Sequence, residues 1–371
     1  MSNPPTTAVL SSRTLNRAAM HRQLLLQRGH LPPGDAVAHL VGMQAQAPNS
    51  PYIGLWSRLE NFHHRELTDL LYNRHLVRGS VLRGTQHLVT ARDYRWLRPL
   101  MQPALDRGRQ AAFGRDTAGM DLAELGAVGR ALLHGQTLTR PQLRDRLAER
   151  WPDRNPEALA WSVQALVPVV HPPPSGTWGR GGATPFTLAE DWLGEPLATR
   201  PRPEDLIRRY LAAYGPATVA DIQTWSGLTR LREIADRISH QLRTFRDDAG
   251  NEVLDLPDAP LPDPDIPAPP RFLPAFDNLI VAYANRTRLM TDATRKRVCI
   301  GAMIAPTILI DGHVAGTWKI APSRGHATLL IEPFTALPKA DHEALTAEGA
   351  KLLAFTAPTD TPQEIRIQTP H

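Results

Sequence analysis

The sequence predicts an α+β protein of three tandem winged-helix units followed by a small C-terminal β-domain. Three observations carry that expectation. A run of three helices followed by a strand pair occurs three times in succession, a proline-rich break follows the third, and the chain beyond it is rich in strand patterns. At 371 residues the chain is too long for one small module. With 42% hydrophobic and 21% charged residues it sits near globular norms, and it holds no uninterrupted apolar stretch long enough to span a membrane. The segment 1–8 lacks the basic and then apolar layout of a secretory signal, so the expected location is the cytoplasm. Cys299 is the single cysteine, which excludes disulfide scaffolds and cysteine-rich zinc sites.

The first unit, residues 10–110, opens with a helix over 14–27, where Leu15, Ala18, Ala19, Leu24 and Leu25 keep helical register. Asp35 is expected to cap a second helix over 36–43, and a third covers 66–75. Residues 76–89 alternate as strands broken near Gly79 and Gly84, and Thr90-Ala91-Arg92-Asp93 has the capping-box pattern that starts a long connecting helix. The second unit, 111–200, places helices over 121–134, from Thr139 through Glu149, and from Asn155-Pro156 onward. Strands over 166–171 and 185–190 then flank a long glycine-containing wing. The third, 201–257, is the most legible. Its helix over 205–214 stops at Gly215-Pro216, Thr218 caps the next, Thr229 a third, and a hairpin turns at Asp248-Ala249-Gly250. The segment Pro257 to Pro270 holds seven prolines, which no helix or central strand tolerates, so 258–270 reads as a linker. In the β-domain, 271–371, strands are expected over 279–283, 298–304, 307–310, 314–320 and 327–331, with a tight turn at Asp311-Gly312 and a final helix over 341–354.

The chain has 42 basic and 37 acidic residues, a net +5, but the excess is uneven. Residues 1–120 carry 15 arginines against 7 acids, a net +8 that leaves −3 for the rest, so the basic N-terminal third points to nucleic acid. Several motifs have plainer readings. Gly179, Gly181 and Gly182 lack the lysine of a phosphate-binding loop and sit between presumed strands, which makes them a wing turn. His63-His64 with Glu66 has no zinc-ligand spacing and reads as a solvated helix start, so neither metal nor cofactor is expected. Trp178 and Trp318 read as packing residues.

In Gly42-Met43-Gln44-Ala45-Gln46-Ala47-Pro48, the proline biases Ala47 away from helical geometry, which puts the two glutamines at a helix exit where their amides can converge. By composition alone such a pair is most often surface or capping. Taken with Arg83-Gly84-Thr85-Gln86-His87-Leu88-Val89, Ala213-Tyr214-Gly215-Pro216-Ala217-Thr218, Leu273-Pro274-Ala275-Phe276-Asp277 and Gly316-Thr317-Trp318-Lys319, the order resembles the AlkZ/YcaQ family of bacterial winged-helix DNA glycosylases from about residue 15 to 331. The resemblance implies a positively charged C-shaped cleft, a catalytic Gln-x-Gln pair carried here by Gln44 and Gln46, and substrates that include bulky adducts and interstrand crosslinks. Ala45 stands where the YcaQ branch usually has tyrosine, so the chain is more similar to the AlkZ branch, associated with self-resistance to DNA-alkylating natural products.

A glutamine amide has no accessible pKa and cannot act as a general base. An N7-alkylated guanine already carries positive charge and leaves as a neutral purine, so two amides that orient water and face an oxocarbenium-like sugar suffice. No lysine precedes Lys296, which disfavours a Schiff-base lyase step and predicts a monofunctional glycosylase. The expected partner is double-stranded DNA carrying alkylation damage, bound by a monomer. Arg78, Arg83 and His87 are candidates for phosphate or minor-groove contact, and His313 sits on a turn that resembles a duplex-probing hairpin. Asp277 anchors Arg286, helps hold the water or fixes the entry to the β-domain, and the structural role is favoured. The competing reading is a non-enzymatic winged-helix regulator or a lesion-sequestering resistance protein, which a footprint at a defined operator would favour.

Overall fold

The computed structural model describes residues 8–323, 326–357 and 361–370; of the leader segment considered above, only Ala8 lies within them. A short strand β1 (Val9–Leu10) leads into α1 (Ser12–Arg22), whose cap Ser11 accepts from the Thr14 N–H. The helix closes at Gln23 because Leu24 takes φ 57°, so it is shorter than the apolar pattern predicts. Helix α2 (Pro33–His39) starts at proline, with Asp35 inside its first turn rather than at the cap, and ends well before residue 43. Val41 and Gly42, at φ 57° and 98°, then turn the chain into β2 (Met43–Gln44). The glutamine pair therefore lies on a sheet edge and the loop beyond it, not on a helix exit.

Helix α3 (Ser50–Trp56) was not anticipated, and α4 (His64–Tyr72) follows, with the Glu66 carboxylate accepting from the His63 N–H at 2.7 Å. Strands β3 (Leu76–Ser80) and β4 (Gln86–Thr90) form the hairpin, and α5 (Ala91–Leu100) begins as expected at Thr90, whose hydroxyl accepts from the Asp93 N–H. Next come α6 (Gln102–Phe113), then α7 (Leu122–Leu133), α8 (Arg140–Arg150) and α9 (Pro156–Leu166), the last three capped by Asp121, Thr139 and Asn155. Strands β5 (Val169–Val170) and β6 (Thr187–Leu188) and the short α10 (Ala189–Leu193) complete this part. Helices α11 (Pro203–Tyr214), α12 (Val219–Ser226) and α13 (Leu231–Arg237) precede β7 (Arg243–Asp247) and β8 (Glu252–Asp255). Thr218 caps α12 and Gly227 ends it at φ 79°, but Arg230, not Thr229, stands at the start of α13.

Residues 257–270 contain no regular element, yet they are fastened down. Arg17 Nε, Arg13 Nε and Arg22 Nη2, all on α1, donate to the carbonyls of Ile266, Pro264 and Pro260 at 2.6, 2.7 and 3.2 Å. Beyond lie β9 (Arg271–Leu273), α14 (Asn278–Val281), α15 (Asp292–Val298), the hairpin β10 (Cys299–Ile300) and β11 (Met303–Ile304), β12 (Thr307–Ile310), β13 (His313–Ser323), β14 (His326–Pro333), α16 (Lys339–Thr356) and β15 (Gln363–Ile367). The strand expected over 279–283 is thus a helical turn, and the one over 298–304 is a helix end plus a two-stranded hairpin.

Strand order explains the coupling between segments. The first two hairpins share one sheet, β2-β4-β3-β5-β6, in which Gly79 of β3 pairs with Val170 of β5. A second sheet is β1-β7-β8, and the C-terminal one is β15-β14-β13-β12-β9. One buried cluster joins Met20, Tyr94, Tyr214 and Trp225 to Leu279 and Leu309, while another joins Tyr52 and Leu67 to Phe272, Leu329 and Leu352. The 121–188 region keeps a core of its own around Leu143, Leu159 and Phe186.

Candidate active site

The glutamine segment is held by neighbours from three parts of the chain. Gly42 is needed at its entry: its φ is left-handed, and a Cβ there would fall 2.5 Å from Val89 Cγ1. Asn278, the first residue of α14, donates through Nδ2 to the Gly42 carbonyl at 2.6 Å and the Tyr214 hydroxyl at 2.9 Å, and its Oδ1 accepts the Gln44 N–H at 3.2 Å. Tyr214 Oη in turn donates to the Leu40 carbonyl at 3.0 Å. On the far side the Ala45 N–H donates to the Gln86 carbonyl (2.8 Å), and Arg78 Nε donates to the Ala45 carbonyl (2.8 Å).

In the β2–β4 register Gln44 faces His87, so both side chains project from one face of the sheet. Gln44 is 7% exposed, and Arg83 Nη2 donates to its Oε1 at 2.8 Å. Arg83 stands at φ 54° in the turn between β3 and β4, and its Nη1 donates to the Trp225 carbonyl at 2.5 Å. Burial draws the guanidinium down to a pKa of about 10; the Tyr214 phenol opposes that shift and the charge of Arg286 adds to it, so Arg83 stays cationic near neutrality. Gln46, two residues on, is exposed. It opens onto a cavity of about 320 Å³ between the β3–β4 turn, α6 and α9.

The structure sorts the remaining predicted residues. Arg78 is 4% exposed, with Nη1 donating to Ser175 Oγ at 2.9 Å, and burial lowers its pKa to about 10. His87 is 1% exposed, and its Nδ1 donates to the Thr85 carbonyl at 3.0 Å. Burial, then the Arg83 charge, push its pKa down to about 3, so it is neutral. Both side chains are interior, Arg78 on the Ala45 carbonyl and His87 on the Thr85 carbonyl; in this conformation they offer no surface to a phosphate, which corrects their expected placement. Asp277 does not meet Arg286. Its carboxylate takes a two-pronged hydrogen bond from Arg58 Nη1 and Nη2, each at 2.8 Å, and caps α14 through the Leu279 N–H at 3.0 Å. The structural role is the one the geometry favours. Arg286 instead donates to Cys299 Sγ at 3.0 Å. His313 is exposed, with Nδ1 donating to the Asp311 carbonyl, but its turn is pinned to α1: Asp311 pairs with Arg13 (2.8 Å) and Arg17, and Asn16 Nδ2 donates to the Gly312 carbonyl at 2.8 Å.

A different hairpin stands free. In β10–β11, Ile300 and Met303 are 66% and 59% exposed, next to Arg295, Lys296 and Arg297 of α15. Sequence reading merged this hairpin into one strand; Gly301, at φ 58°, was the available signal. Asn278 and Arg58 were also missed, since their partners lie more than 200 residues away. Trp178 and Trp318 are packing residues as expected, and His64, read as solvated, stacks against Trp178 with ring centroids 4.1 Å apart.

Comparison with known proteins matches this arrangement to a described family. The family model "DNA glycosylase AlkZ-like" covers residues 37–355, from α2 through nearly all of α16. The chain belongs to this family. As an AlkZ-like protein it is a DNA N-glycosylase, a hydrolase of the base–sugar bond. It is 24% identical to the interstrand DNA cross-link repair glycosylase of Streptomyces sahachiroi, over 93% of this chain and 96% of that one. The solved structure of the Streptomyces sahachiroi DNA glycosylase AlkZ superimposes with a TM-score of 0.80 at 22% identity, covering 97% of this chain and all of the other. That likeness supports the shared mixed α+β fold. No described helix is long and apolar enough to cross a membrane.

Proposed function

We propose that this AlkZ-like glycosylase acts, as a cytoplasmic monomer, on N7-alkylated guanine in double-stranded DNA, releasing the modified base and leaving an abasic site. The observation that carries the reading is the pairing of a clamped, oriented amide with a free one at the mouth of a cavity. Arg83 can only donate, so the Gln44 atom it meets is the carbonyl oxygen. Nε2 is then the free end of that amide, without a protein acceptor among the described residues, and it can donate to the oxygen of an attacking water. Gln46 is exposed and keeps its oxygen available to the hydrogens of that water or to the positive charge developing at C1′.

No proton need be supplied to the leaving group. The ring nitrogen is already quaternised, the C1′–N9 electron pair returns to a cationic purine, and water delivers hydroxide to the sugar while its proton passes to solvent. Neutral amides therefore suffice, and an unmodified nucleoside, with a poor leaving group, is left intact. The absence of lysine before Lys296 supports a monofunctional enzyme. The name of the Streptomyces relative, an interstrand DNA cross-link repair glycosylase, supports extending the proposal to interstrand crosslinks and a role in repair; bulky adducts and self-resistance to an alkylating natural product enter it through the family resemblance of the motifs. His313 stays in the proposal as a DNA contact, and the free β10–β11 hairpin joins it.

Purified protein incubated with duplex containing N7-methylguanine or a nitrogen-mustard crosslink should release the modified base. Intact substrate at high enzyme concentration would refute the reading. The Gln44→Ala, Gln46→Ala double variant should lose at least about a hundredfold in single-turnover rate, the scale of losing preorganised dipoles at a reacting centre, while its DNA affinity changes little. Activity that survives in the double variant would remove the two amides from the mechanism.

A further inference from the structure

The cavity beside Gln46 has a wall that the chemistry above does not use. Phe113 at the end of α6 and Trp161 on α9 face each other across its outer side, with centroids 6.2 Å apart and planes 19° from parallel. Trp161 is 40% exposed, an unusual cost for so large an apolar surface. The guanidinium of Arg140 lies 3.5 Å from the centre of its ring, an arrangement that holds the indole flat. Arg83 and Arg109 also line the cavity, and no Asp or Glu is among its described lining residues, so the space suits a group carried on a polyanion.

At about 320 Å³ the space is at the small end of ligand sites and matches a flat ring system of two or three fused rings.

We propose that the groove lined by Phe113 and Trp161 is a stacking subsite for a planar aromatic group presented by DNA next to Gln46. The group is either a nucleobase displaced at the lesion or an aromatic appendage of the alkylating agent; both are flat and both can pack against the exposed part of the Trp161 ring and against Phe113. The proposal rests on the reading that the Gln44–Gln46 segment meets DNA. It assigns Trp161 a role in substrate selection, away from the bond that breaks.

The test compares the wild type with Trp161→Ala, Trp161→Phe and Phe113→Ala on two duplexes, one with N7-methylguanine and one with an N7-guanine bearing a naphthyl group. Each is measured for affinity relative to unmodified duplex and for single-turnover base release. Trp161→Ala should weaken half-saturation and relative affinity about tenfold, the scale of losing one stacking contact, with a maximal rate within about twofold of wild type and with Trp161→Phe restoring most of the loss. A loss confined to the naphthyl duplex identifies the appendage as the occupant; a loss on both identifies a nucleobase. If neither Trp161→Ala nor Phe113→Ala alters affinity or half-saturation on either duplex, the subsite is overturned. A wild type that releases neither base defeats the glycosylase chemistry instead, and the affinity ratios still decide the subsite.

Discussion

A guanidinium has donors and no acceptor, so the placement of Arg83 against Gln44 fixes which end of an otherwise ambiguous amide is held and which is left free. The same logic operates more expensively at Arg58 and Asp277. Their side chains are 0% and 1% exposed, and the pair ties the loop after α3 to the cap of α14, which in turn positions Asn278 on the backbone of Gln44. Asp277→Ala would leave an unpaired charge in the interior and should lower unfolding stability by about 3–5 kcal/mol. Replacing both partners with apolar residues, Arg58→Met with Asp277→Leu, should recover much of that loss. Urea titration of the single variant checks the first point, and a shift below about 1 kcal/mol would show that the pair is not critical. Gln44 and Gln46 could be picked out in the sequence because they belong to a short motif. Arg58 could not, because nothing near it in the chain hints at a carboxylate 219 residues away.

Elements marked by caps and turn residues followed the sequence closely, whereas those decided by burial did not. Asp121, Thr139, Asn155 and Thr218 each stand where a helix begins. The run from Leu279 to Tyr283 is buried at every position, so it has no polar face whose period could separate strand from helix; the Asp277 cap decides for α14. The short β2 was hidden for another reason: its two residues become a strand only by pairing with β4. That sheet also sets a pH dependence. His87 on β4 and His171 just after β5 are held down to pKa values of about 3 and 4, chiefly by burial. The unfolded chain, with ordinary histidines, binds more protons between about pH 6.5 and 4, so stability is full above that window and falls as pH drops through it. Thermal melts should show Tm declining from pH 7 toward 4, with a shallower decline in His171→Gln; a variant whose Tm follows pH as steeply as the wild type would exclude this cause.

Over the whole molecule, the buried clusters ignore the linear order of the segments. The apolar faces of α3 and α4 are covered by the C-terminal sheet and α16, with Trp56 and Phe62 both meeting Phe355, and α1 packs against α11 while fastening the proline-rich stretch. A fragment ending at residue 257 would uncover Tyr52, Leu67 and their neighbours and should aggregate or melt without cooperativity, as read by light scattering and circular dichroism. A monomeric fragment with a cooperative transition near that of the full chain would show that the shared core is dispensable. The sequence by itself determined the helix starts at Asp121, Thr139, Asn155 and Thr218, the β3–β4 and β7–β8 hairpins, the proline-rich break, the basic N-terminal third and the glutamine pair, because caps, periodicity and charge are local properties that neighbouring residues express together. Only the tertiary structure decided that Gln44 is buried and oriented while Gln46 is free, that Arg78 and His87 face inward, and that Trp161 borders the same cavity, because each depends on which distant segments compete for the same interior space.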